Sequence, residues 1–325
     1  MILVYVEAGA EGVSEVSLEA VTFARGLAAA GGGIPIDALL VGRAPESAAK
    51  ELAAYGVRTV LLADDDDFDR FSGAATAAAV IAARERANAV VVLAGGTNRG
   101  NEVLARVAAR LDVAMAANVV AFEGLSPFVV TRQVVGGAAL EEMTLVRRPA
   151  VFSVAGHAVE PVAAETGGAG TVQPLEVSLS DEDRAVRVVS VEPVSNEGAG
   201  NLKSARVVVG AGRGAGGPEG FEEVLELAAL LGGSLGVSRV VTSLGWRPHH
   251  EQVGQTGSRI APEIYIPCGI SGAIQHWAGC ASSKVILAVN TDPEAPMMTK
   301  ATYAVVGDMH EVVPAINEEI RRRRS

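Results

Sequence analysis

The last third of the sequence carries four glycine-rich or polar segments, each next to a predicted strand. The first is Gly210-Ala211-Gly212-Arg213-Gly214, which follows the apolar run 205–209. Such a loop often marks only a tight turn, and this one does not fit the G-x-G-x-x-G fingerprint of dinucleotide-binding proteins. Arg213 would suit a phosphate, because a guanidinium can donate two hydrogen bonds to phosphate oxygens. From this loop alone, phosphate binding and a plain turn remain equally open.

The other three segments combine small residues with polar side chains. Val253 to Gly257 joins two glycines, which let a flat ligand approach the backbone, to a glutamine and a threonine. Gly269 to His276 precedes a predicted helix, so its amide groups could bind an anion such as pyrophosphate; an ordinary capped helix start is the alternative. Asn290 and Asp308 follow predicted strands, where either could simply cap a turn.

The elements that must position these segments belong to the second of two alternating series. The first series predicts strands over 2–6, 36–41, 59–62 and 89–93 and helices over 16–30, 46–54 and 74–86. This alternation is typical of a parallel sheet covered by helices on both faces. The stretch 113–154 is rich in strand-forming pieces, such as 128–134 and 143–146, and predicts a mixed or antiparallel end to the sheet.

The second series begins after a polar stretch, Ser195 to Ser204. It predicts strands over 205–209, 239–242, 264–266, 285–289 and 304–306 and helices over 219–231 and 312–322, while 187–191 resembles an edge or connecting strand. The fold class is therefore α/β with two domains, an N-terminal nucleotide-hydrolase-like parallel-sheet domain (1–194) and a C-terminal doubly wound domain (195–325). Ligands of open parallel sheets bind beyond the carboxyl ends of the strands, so the four segments should converge.

Composition and charge exclude several function classes. The 27 Lys and Arg residues against 38 Asp and Glu residues give a net charge of −11, which disfavours nucleic acid as a partner. Cys268 and Cys280 are too few for a disulfide framework and lack metal-ligand spacing, which indicates a reducing, cytoplasmic location. Asp64 to Asp67 is interpreted as a turn rather than a metal site, and apolar runs such as 74–83 are too short to be membrane-embedded.

Several strings together resemble the C-terminal FAD domain of the electron-transfer flavoprotein alpha (large) subunit family. They are Ser238-Arg239, Gln252 to Gly257, Ala261-Pro262-Glu263, Gly269 to His276, Val289-Asn290 and Asp292 to Pro296. The strings Gln-Val-Gly-Gln-Thr-Gly and Gly-Ile-Ser-Gly-Ala-Ile-Gln-His are the most specific of these. The first domain is similar to the family more loosely, through 106–111, Gly136-Gly137 and Arg148-Pro149.

The resemblance implies that FAD lies in a cleft of the second domain that a beta subunit completes, while AMP belongs to that partner. By similarity, Arg239 lies near the reactive part of the flavin ring, Thr256 donates a hydrogen bond to flavin N5, and His276 lies near the C2 carbonyl. The pair Pro267-Cys268 departs from the family pattern, which makes Cys268 a further candidate neighbour of the ring. The remaining implied FAD contacts are Arg213, Ser238, Val253, Gly254, Gln255, Ser271, Gly272, Ala273, Ile274, Gln275, Asn290, Asp308 and Met309.

The resemblance also implies a function. The chain would be half of a heterodimeric electron carrier without substrate chemistry of its own. It would accept electrons from primary flavin dehydrogenases, such as the acyl-CoA dehydrogenases of fatty acid beta-oxidation, and pass them to a quinone oxidoreductase. One alternative is a bifurcating or nitrogen-fixation-linked form that uses NADH and holds a second FAD in the partner. Another is a non-redox nucleotide-binding scaffold. A nicotinamide-dependent dehydrogenase is disfavoured by the broken glycine fingerprint.

Overall fold

A computed structural model describes residues 1–10, 12–135, 139–190, 202 and 205–324. The chain forms two compact units, the first comprising Met1–Val134 and Ala139–Glu192 and the second chiefly Pro193–Ser325. The domain boundary expected between 194 and 195, and the Gly136-Gly137 pair, lie outside the described residues.

The first unit contains eleven strands and five helices within its described residues. The strands are β1 (Ile2–Val6), β2 (Ala8–Gly9), β3 (Gly12–Val13), β4 (Ile36–Val41), β5 (Thr59–Ala63), β6 (Val91–Gly95), β7 (Met115–Leu125), β8 (Phe128–Val134), β9 (Ala139–Thr144), β10 (Ala150–Val154) and β11 (Thr171–Pro174). The helices are α1 (Glu15–Ala30), α2 (Glu46–Ala54), α3 (Gly73–Ala87), α4 (Asn98–Arg110) and α5 (Asp181–Arg184).

Nine of these strands form one sheet in the order β11-β5-β4-β1-β6-β10-β7-β8-β9. The strands from β11 to β7 pair in parallel, while β8 pairs antiparallel with both β7 and β9. Every residue of the central strands β1, β6 and β10 is buried, because hydrophobic clusters cover both faces of the sheet. The expected parallel sheet and its antiparallel end are confirmed.

The second unit is a smaller sheet whose five strands are all parallel. Its strands are β12 (Val207–Ala211), β13 (Ser234–Val237), β14 (Ile264–Cys268), β15 (Val285–Asn290) and β16 (Tyr303–Val306). Its helices are α6 (Glu222–Leu230), α7 (Arg239–Ser243), α8 (Ile274–Cys280), α9 (Pro296–Lys300) and α10 (Met309–Arg324). The strand order β13-β12-β14-β15-β16 reverses direction between β12 and β14, as in doubly wound folds that bind a ligand at this switch point.

The core of the second unit lies on both faces of this sheet. Val209, Leu235 and Ile266 face one cluster, which includes residues of α6 and α10, and Val208 and Tyr265 face another, which includes residues of α8 and α9. This alternation follows from the two-residue period of a strand. Contacts between the buried side chains on the two faces of the sheet fix the register of the strands. They therefore also fix the positions of the loops that follow each strand.

The prediction of a strand over 239–242 is wrong. These residues form helix α7, and the strand lies earlier, at Ser234–Val237. The two valines and the threonine favour a strand by propensity, but Val241 packs into the core from a helix that ends at Ser243. The true strand, Ser234–Val237, was missed because it contains Gly236, and glycine has a low strand propensity. Glycine stands there because a Cβ would lie 2.7 Å from Cγ2 of Val253.

The strand expected over 187–191 is also wrong for the described residues 187–190, which have no strand conformation. The edge position beside β5 is taken instead by β11, earlier in the chain, which pairs with β5 in parallel. Val188 donates one backbone hydrogen bond to the Phe71 carbonyl, which holds the segment without forming a ladder. Among the described helices, none has the length and apolar character needed to cross a membrane.

Candidate functional site

A cleft of about 630 Å³ opens at the carboxyl ends of the second sheet. The loops that follow all five strands contribute to it, from Arg213 after β12 to Met309 after β16. We call it the strand-end cleft. It lies at the reversal of strand order between β12 and β14, where open α/β sheets bind their ligands.

The structure brings eleven of the predicted site residues together. Those lining the strand-end cleft are Arg213, Ser238, Arg239, Ser271, Gly272, Ala273, Gln275, His276, Asn290, Asp308 and Met309. Five predicted residues are not part of its lining, namely Val253, Gly254, Gln255, Thr256 and Ile274. Val253 is 1% exposed and packs in the core, whereas Ile274 is 78% exposed.

Eight lining residues were not predicted as site residues. They are Gly214, Val240, Gly269, Ile270, Thr291, Asp292, Ala295 and Gly307. Most lie one to three residues beyond the end of a strand, inside or beside the segments that the sequence singled out, so taking each strand-end loop as a whole would have found them. Val240 was missed because its segment was interpreted as a strand instead of the first turn of α7.

The two loops at the switch point touch each other through their backbones. The Gly212 amide donates to the Cys268 carbonyl at 3.0 Å, and the Gly214 amide donates to the Gly269 carbonyl at 3.2 Å. Gly269 has a φ of +61°, and a Cβ there would lie 2.7 Å from Cα of Gly214 and 2.8 Å from Sδ of Met309. Only glycine allows this approach, so the cleft floor depends on the glycines that the sequence singled out.

Two arginines bring positive charge to the cleft. Arg213 and Arg239 are both exposed, and neither forms an ion pair with any carboxylate of the described residues. In contrast, Arg247 in the same unit donates two hydrogen bonds to Glu251, which raises the pKa of its guanidinium. Unpaired guanidinium groups in a cleft suit phosphate or another anion, because they can donate several parallel hydrogen bonds.

Two carboxylates line the same cleft. Oδ1 of Asp292 accepts the Glu294 amide, and Oδ1 of Asp308 accepts the His310 amide, both at 2.9 Å. Each carboxylate keeps its other oxygen available as an acceptor, which suits the hydroxyl groups of a sugar.

Asn290 connects two of the loops. Its Nδ2 donates to the Ile270 carbonyl and its Oδ1 accepts the Asp292 amide, both at 3.1 Å. The turn-capping interpretation left open for Asn290 is therefore correct, but the residue also lines the cleft and fixes the loop after β14. One side chain thus stabilises the loops that follow two neighbouring strands.

Two buried polar atoms beside the cleft have no hydrogen-bond partner within the described chain, Oγ of Ser238 and Nδ1 of His276. Ser238 stands at the N-terminus of α7, yet its hydroxyl does not cap that helix. Buried polar groups are almost always hydrogen-bonded in native proteins. These two atoms therefore indicate a polar ligand in the cleft.

His276 is held from its other side by Tyr265. Nε2 of His276 and the Tyr265 hydroxyl are 2.8 Å apart, and both residues are buried. Burial lowers the pKa of His276 to about 4 and raises the pKa of Tyr265 well above its ordinary value. Both side chains are therefore neutral at neutral pH.

The segment Val253–Gly257 lies against the start of α8. The Gln255 amide donates to the carbonyl of Gln275, a cleft residue, at 2.8 Å. Gln252, 2% exposed, donates from Nε2 to Oγ1 of Thr256 at 3.0 Å. The exposed Thr256 is therefore positioned by a buried side chain on a loop that borders the cleft.

Cys268 does not contribute its side chain to the cleft. It is 0% exposed and packs in the core, and burial raises the pKa of its thiol to about 12. The segment Asp64–Asp67 is a turn in which Asp65 caps a short helical turn and Asp67 pairs with Arg184. Across the described residues, no group of three or more His, Cys, Asp or Glu side chains could hold a metal ion.

Comparison with known proteins identifies the family. The family model described as "Electron transfer flavoprotein domain" matches residues 2–180, and the one described as "Electron transfer flavoprotein FAD-binding domain" matches residues 201–281. The chain belongs to the electron transfer flavoprotein alpha subunit family. The second match includes the loops after β12, β13 and β14, which form the switch-point side of the strand-end cleft.

Individual relatives agree with this membership. The chain is 34% identical to the electron transfer flavoprotein subunit alpha of Bacillus subtilis, over 87% of each chain. It is 32% identical to the corresponding subunit of Thermoanaerobacterium thermosaccharolyticum, over 89% of this chain and 88% of the relative. It is 35% identical to Protein FixB of Clostridium saccharobutylicum, over 87% of this chain and 85% of the relative. A solved structure from Mycobacterium smegmatis, with a TM-score of 0.24 and 14% identity over 93% of this chain and 54% of that chain, is too dissimilar to carry an argument.

Proposed function

We propose that this chain binds FAD in the strand-end cleft and carries electrons as the alpha subunit of a two-subunit electron-transfer flavoprotein. The observation that carries the proposal is the cleft itself. Five strand-end loops converge there, bringing two unpaired arginines and two buried polar atoms that have no partner among the described residues. When bound, FAD supplies the redox chemistry, accepting electrons and passing them on singly.

The residues present fit this cofactor. The glycines of the touching loops leave no side chain between the backbone and a flat or extended ligand. Arg213 and the nearby loop amides suit the pyrophosphate, together with Ser271 and Gln275, while Asp308 suits a ribose hydroxyl. Ser238 and His276 each offer a buried polar atom to the ligand.

Arg239, Thr256 and His276 are the residues we assign to the redox properties. A guanidinium beside the ring favours the negatively charged reduced flavin over the neutral oxidised one, and thereby raises the first reduction potential. The Thr256 hydroxyl oxygen accepts a hydrogen bond from Gln252, so the hydroxyl proton of Thr256 stays available for donation to the flavin. Val253, Gly254, Gln255, Thr256 and Ile274 lie outside the cleft lining, and their contacts with FAD remain predictions.

A beta subunit would complete the site and hold AMP. The heterodimer would accept electrons from primary flavin dehydrogenases, such as acyl-CoA dehydrogenases, and pass them to a quinone oxidoreductase. The carrier would work in the cytoplasm. The chain would then have no substrate chemistry of its own. This part of the proposal is supported by the family membership and by the match to related alpha subunits over most of their length.

The experiment is gentle co-purification of the chain with its partner, followed by an absorbance scan. Bound FAD should give the two flavin bands at about 375 and 440 nm. An Arg213→Ala variant should retain less FAD than an Arg43→Ala variant, which removes an exposed arginine of the first unit. A colourless heterodimer that cannot take up added FAD would contradict the proposal and favour a non-redox scaffold.

A second candidate is a bifurcating or nitrogen-fixation-linked form that accepts electrons from NADH. It is kept because the chain is as similar to Protein FixB as to the subunits alpha, at 35% and 32–35% identity respectively. The two forms differ in cofactor content, which can be counted after denaturation of the purified heterodimer. Two FAD molecules per heterodimer would favour this form, and one FAD with one AMP would exclude it.

A further inference from the structure

Tyr265 and His276 form a buried pair at the inner wall of the strand-end cleft. Tyr265 lies on β14, is 0% exposed, and packs in the core cluster that includes residues of α8 and α9. Its ring lies nearly parallel to the His276 ring, with centroids 6.1 Å apart and an interplanar angle of 23°. The hydroxyl oxygen and His276 Nε2 are joined by a hydrogen bond of 2.8 Å.

The position of the proton in this pair follows from counting donors and acceptors. A neutral imidazole has one N–H donor and one acceptor nitrogen, and a phenol hydroxyl can both donate and accept. If Nε2 carried the proton, it would donate to Tyr265. The phenol proton would then have no acceptor within the described chain, and the bare Nδ1 would also be unpaired.

The opposite arrangement leaves one unsatisfied group instead of two. When the Tyr265 hydroxyl donates to Nε2, the phenol is satisfied and the imidazole proton is on Nδ1. Only the Nδ1–H of His276 then lacks a partner among the described residues, and His276 lines the cleft. A ligand acceptor atom can satisfy this donor, so the arrangement is complete once the cleft is filled.

We propose that Tyr265 is a positioning residue that donates its hydroxyl proton to Nε2 of His276 and so fixes the histidine proton on Nδ1, as a neutral donor to an acceptor atom of the ligand in the strand-end cleft. With FAD as that ligand, the inference rests on the proposed function. Tyr265 would not need to touch the ligand, since it would act through the tautomer of His276.

Gly210 makes this arrangement possible. It lies on β12 opposite Pro267 of β14, and a Cβ at Gly210 would lie 2.6 Å from the Tyr265 hydroxyl oxygen. The missing side chain therefore leaves the space that the phenol needs. The hydroxyl is held between the backbone of one strand and the imidazole of α8, which restricts it to a single partner.

The test is ¹⁵N NMR of the full-length chain labelled in histidine, at neutral pH. The chain has 5 histidines, and loss of one signal in His276→Gln assigns the residue of interest. We expect the wild-type spectrum to show His276 protonated at Nδ1 and bare at Nε2. A bare Nδ1, or a doubly protonated ring, would overturn the inference.

Tyr265→Phe removes the hydroxyl and keeps the ring. We expect His276 to shift to a mixture with a substantial population protonated at Nε2, because nothing then fixes the tautomer. FAD affinity should fall by about two- to tenfold, the loss expected for one neutral hydrogen bond. Tyr303→Phe is the matched control, because Tyr303 is 63% exposed and lies outside the cleft lining, and it should change neither value.

A merely structural role for Tyr265 would lower affinity or stability without changing the tautomer, so an unchanged Nδ1–H in Tyr265→Phe would overturn the inference. If Tyr265→Phe does not fold, the wild-type tautomer decides alone. The tautomer can be read with or without flavin. A wild-type protein that rejects FAD would therefore contradict the proposed function, while the spectrum would still test the role of Tyr265.

Discussion

Nε2 of the buried Gln252 donates a hydrogen bond of 3.0 Å to Oγ1 of Thr256. The other end of the same amide, Oε1, accepts the hydroxyl of Thr242 at 2.7 Å. Because the Thr256 oxygen already accepts a hydrogen bond from Gln252, its own hydroxyl proton is directed away from this amide. A residue at the core thus sets the hydrogen-bonding direction of an exposed residue beside the strand-end cleft.

Thr256→Ala should therefore alter a bound flavin without releasing it. The loss of one hydrogen bond typically costs about 0.5–1.5 kcal/mol net, so FAD affinity should fall by no more than about tenfold while the reduction potential shifts. Titration with FAD and spectroelectrochemistry measure the two effects. Thr256→Ser should restore both values, and Thr171→Ala, at an exposed strand residue of the first unit, should change neither. Complete loss of FAD from folded Thr256→Ala would contradict this assignment.

Arg239→Ala should lower the first reduction potential of the bound flavin. The exposed guanidinium is screened by water, so we expect a loss of roughly 1 kcal/mol in stabilisation of the reduced, negatively charged flavin. Arg239→Lys should retain part of the effect, because the charge stays while the planar group is lost. Arg43→Ala, which removes an exposed arginine paired with Asp69, is the control. An unchanged potential in Arg239→Ala would show that the charge lies too far from the ring.

Gly269→Ala should damage both folding and the cleft. The φ of +61° disfavours alanine, and the new Cβ would meet Gly214 and Met309 at less than 3 Å, so we expect a loss of about 2–4 kcal/mol in the free energy of unfolding. Gly232→Ala is a matched control, with a φ of +62° and no atom within 4 Å of the added carbon. It should cost only about 1 kcal/mol. Equal losses in denaturant unfolding would mean that the close approach of the two loops is unimportant.

His276 should make the stability of the chain depend on pH. Its pKa is lowered by burial from 6.5 to about 4, so the unfolded chain binds this proton more readily between those values. The stability that His276 contributes is therefore fully present well above pH 6.5 and is lost as the pH decreases towards 4, by about 1.4 kcal/mol between pH 7.5 and 5.5. Urea unfolding at the two pH values should show this loss in the wild type and a smaller loss in His276→Gln. Identical losses in the two proteins would mean that His276 takes up its proton as readily in the folded state as in the unfolded one.

The sequence predicts the helices and parallel sheets of this protein well. Strands of a parallel sheet are buried on both faces, so they appear in the sequence as continuous apolar runs such as Val207–Val209. It fails where local propensity and packing disagree. Val240 and Val241 favour a strand but lie in the helix that follows β13. The strand β13 itself was not predicted, because it contains Gly236, which close packing requires but which has a low strand propensity. Both errors lie beside the candidate site, because α7 contributes Arg239 and Val240 to the cleft lining.

The polar arrangement of the cleft was predictable in part. Sequence analysis found four cleft residues because each lies at the end of a predicted strand or in a segment that resembles the family. They are Arg213, Ser238, Asn290 and Asp308. The roles of Gln252 and Tyr265 could not be predicted, since both act through a second side chain at a sequence distance of 4 and 11 residues respectively. Only the folded backbone places such a partner within hydrogen-bonding distance.

The 2.6 Å separation between a hypothetical Cβ at Gly210 and the phenol oxygen of Tyr265 links these two positions on neighbouring strands. A side chain at Gly210 would therefore clash with the phenol while Tyr265 stays as it is. Among relatives, a larger side chain at the position of Gly210 should occur together with a residue shorter than tyrosine at the position of Tyr265. In directed evolution, the two codons should therefore be randomised as a pair rather than one after the other.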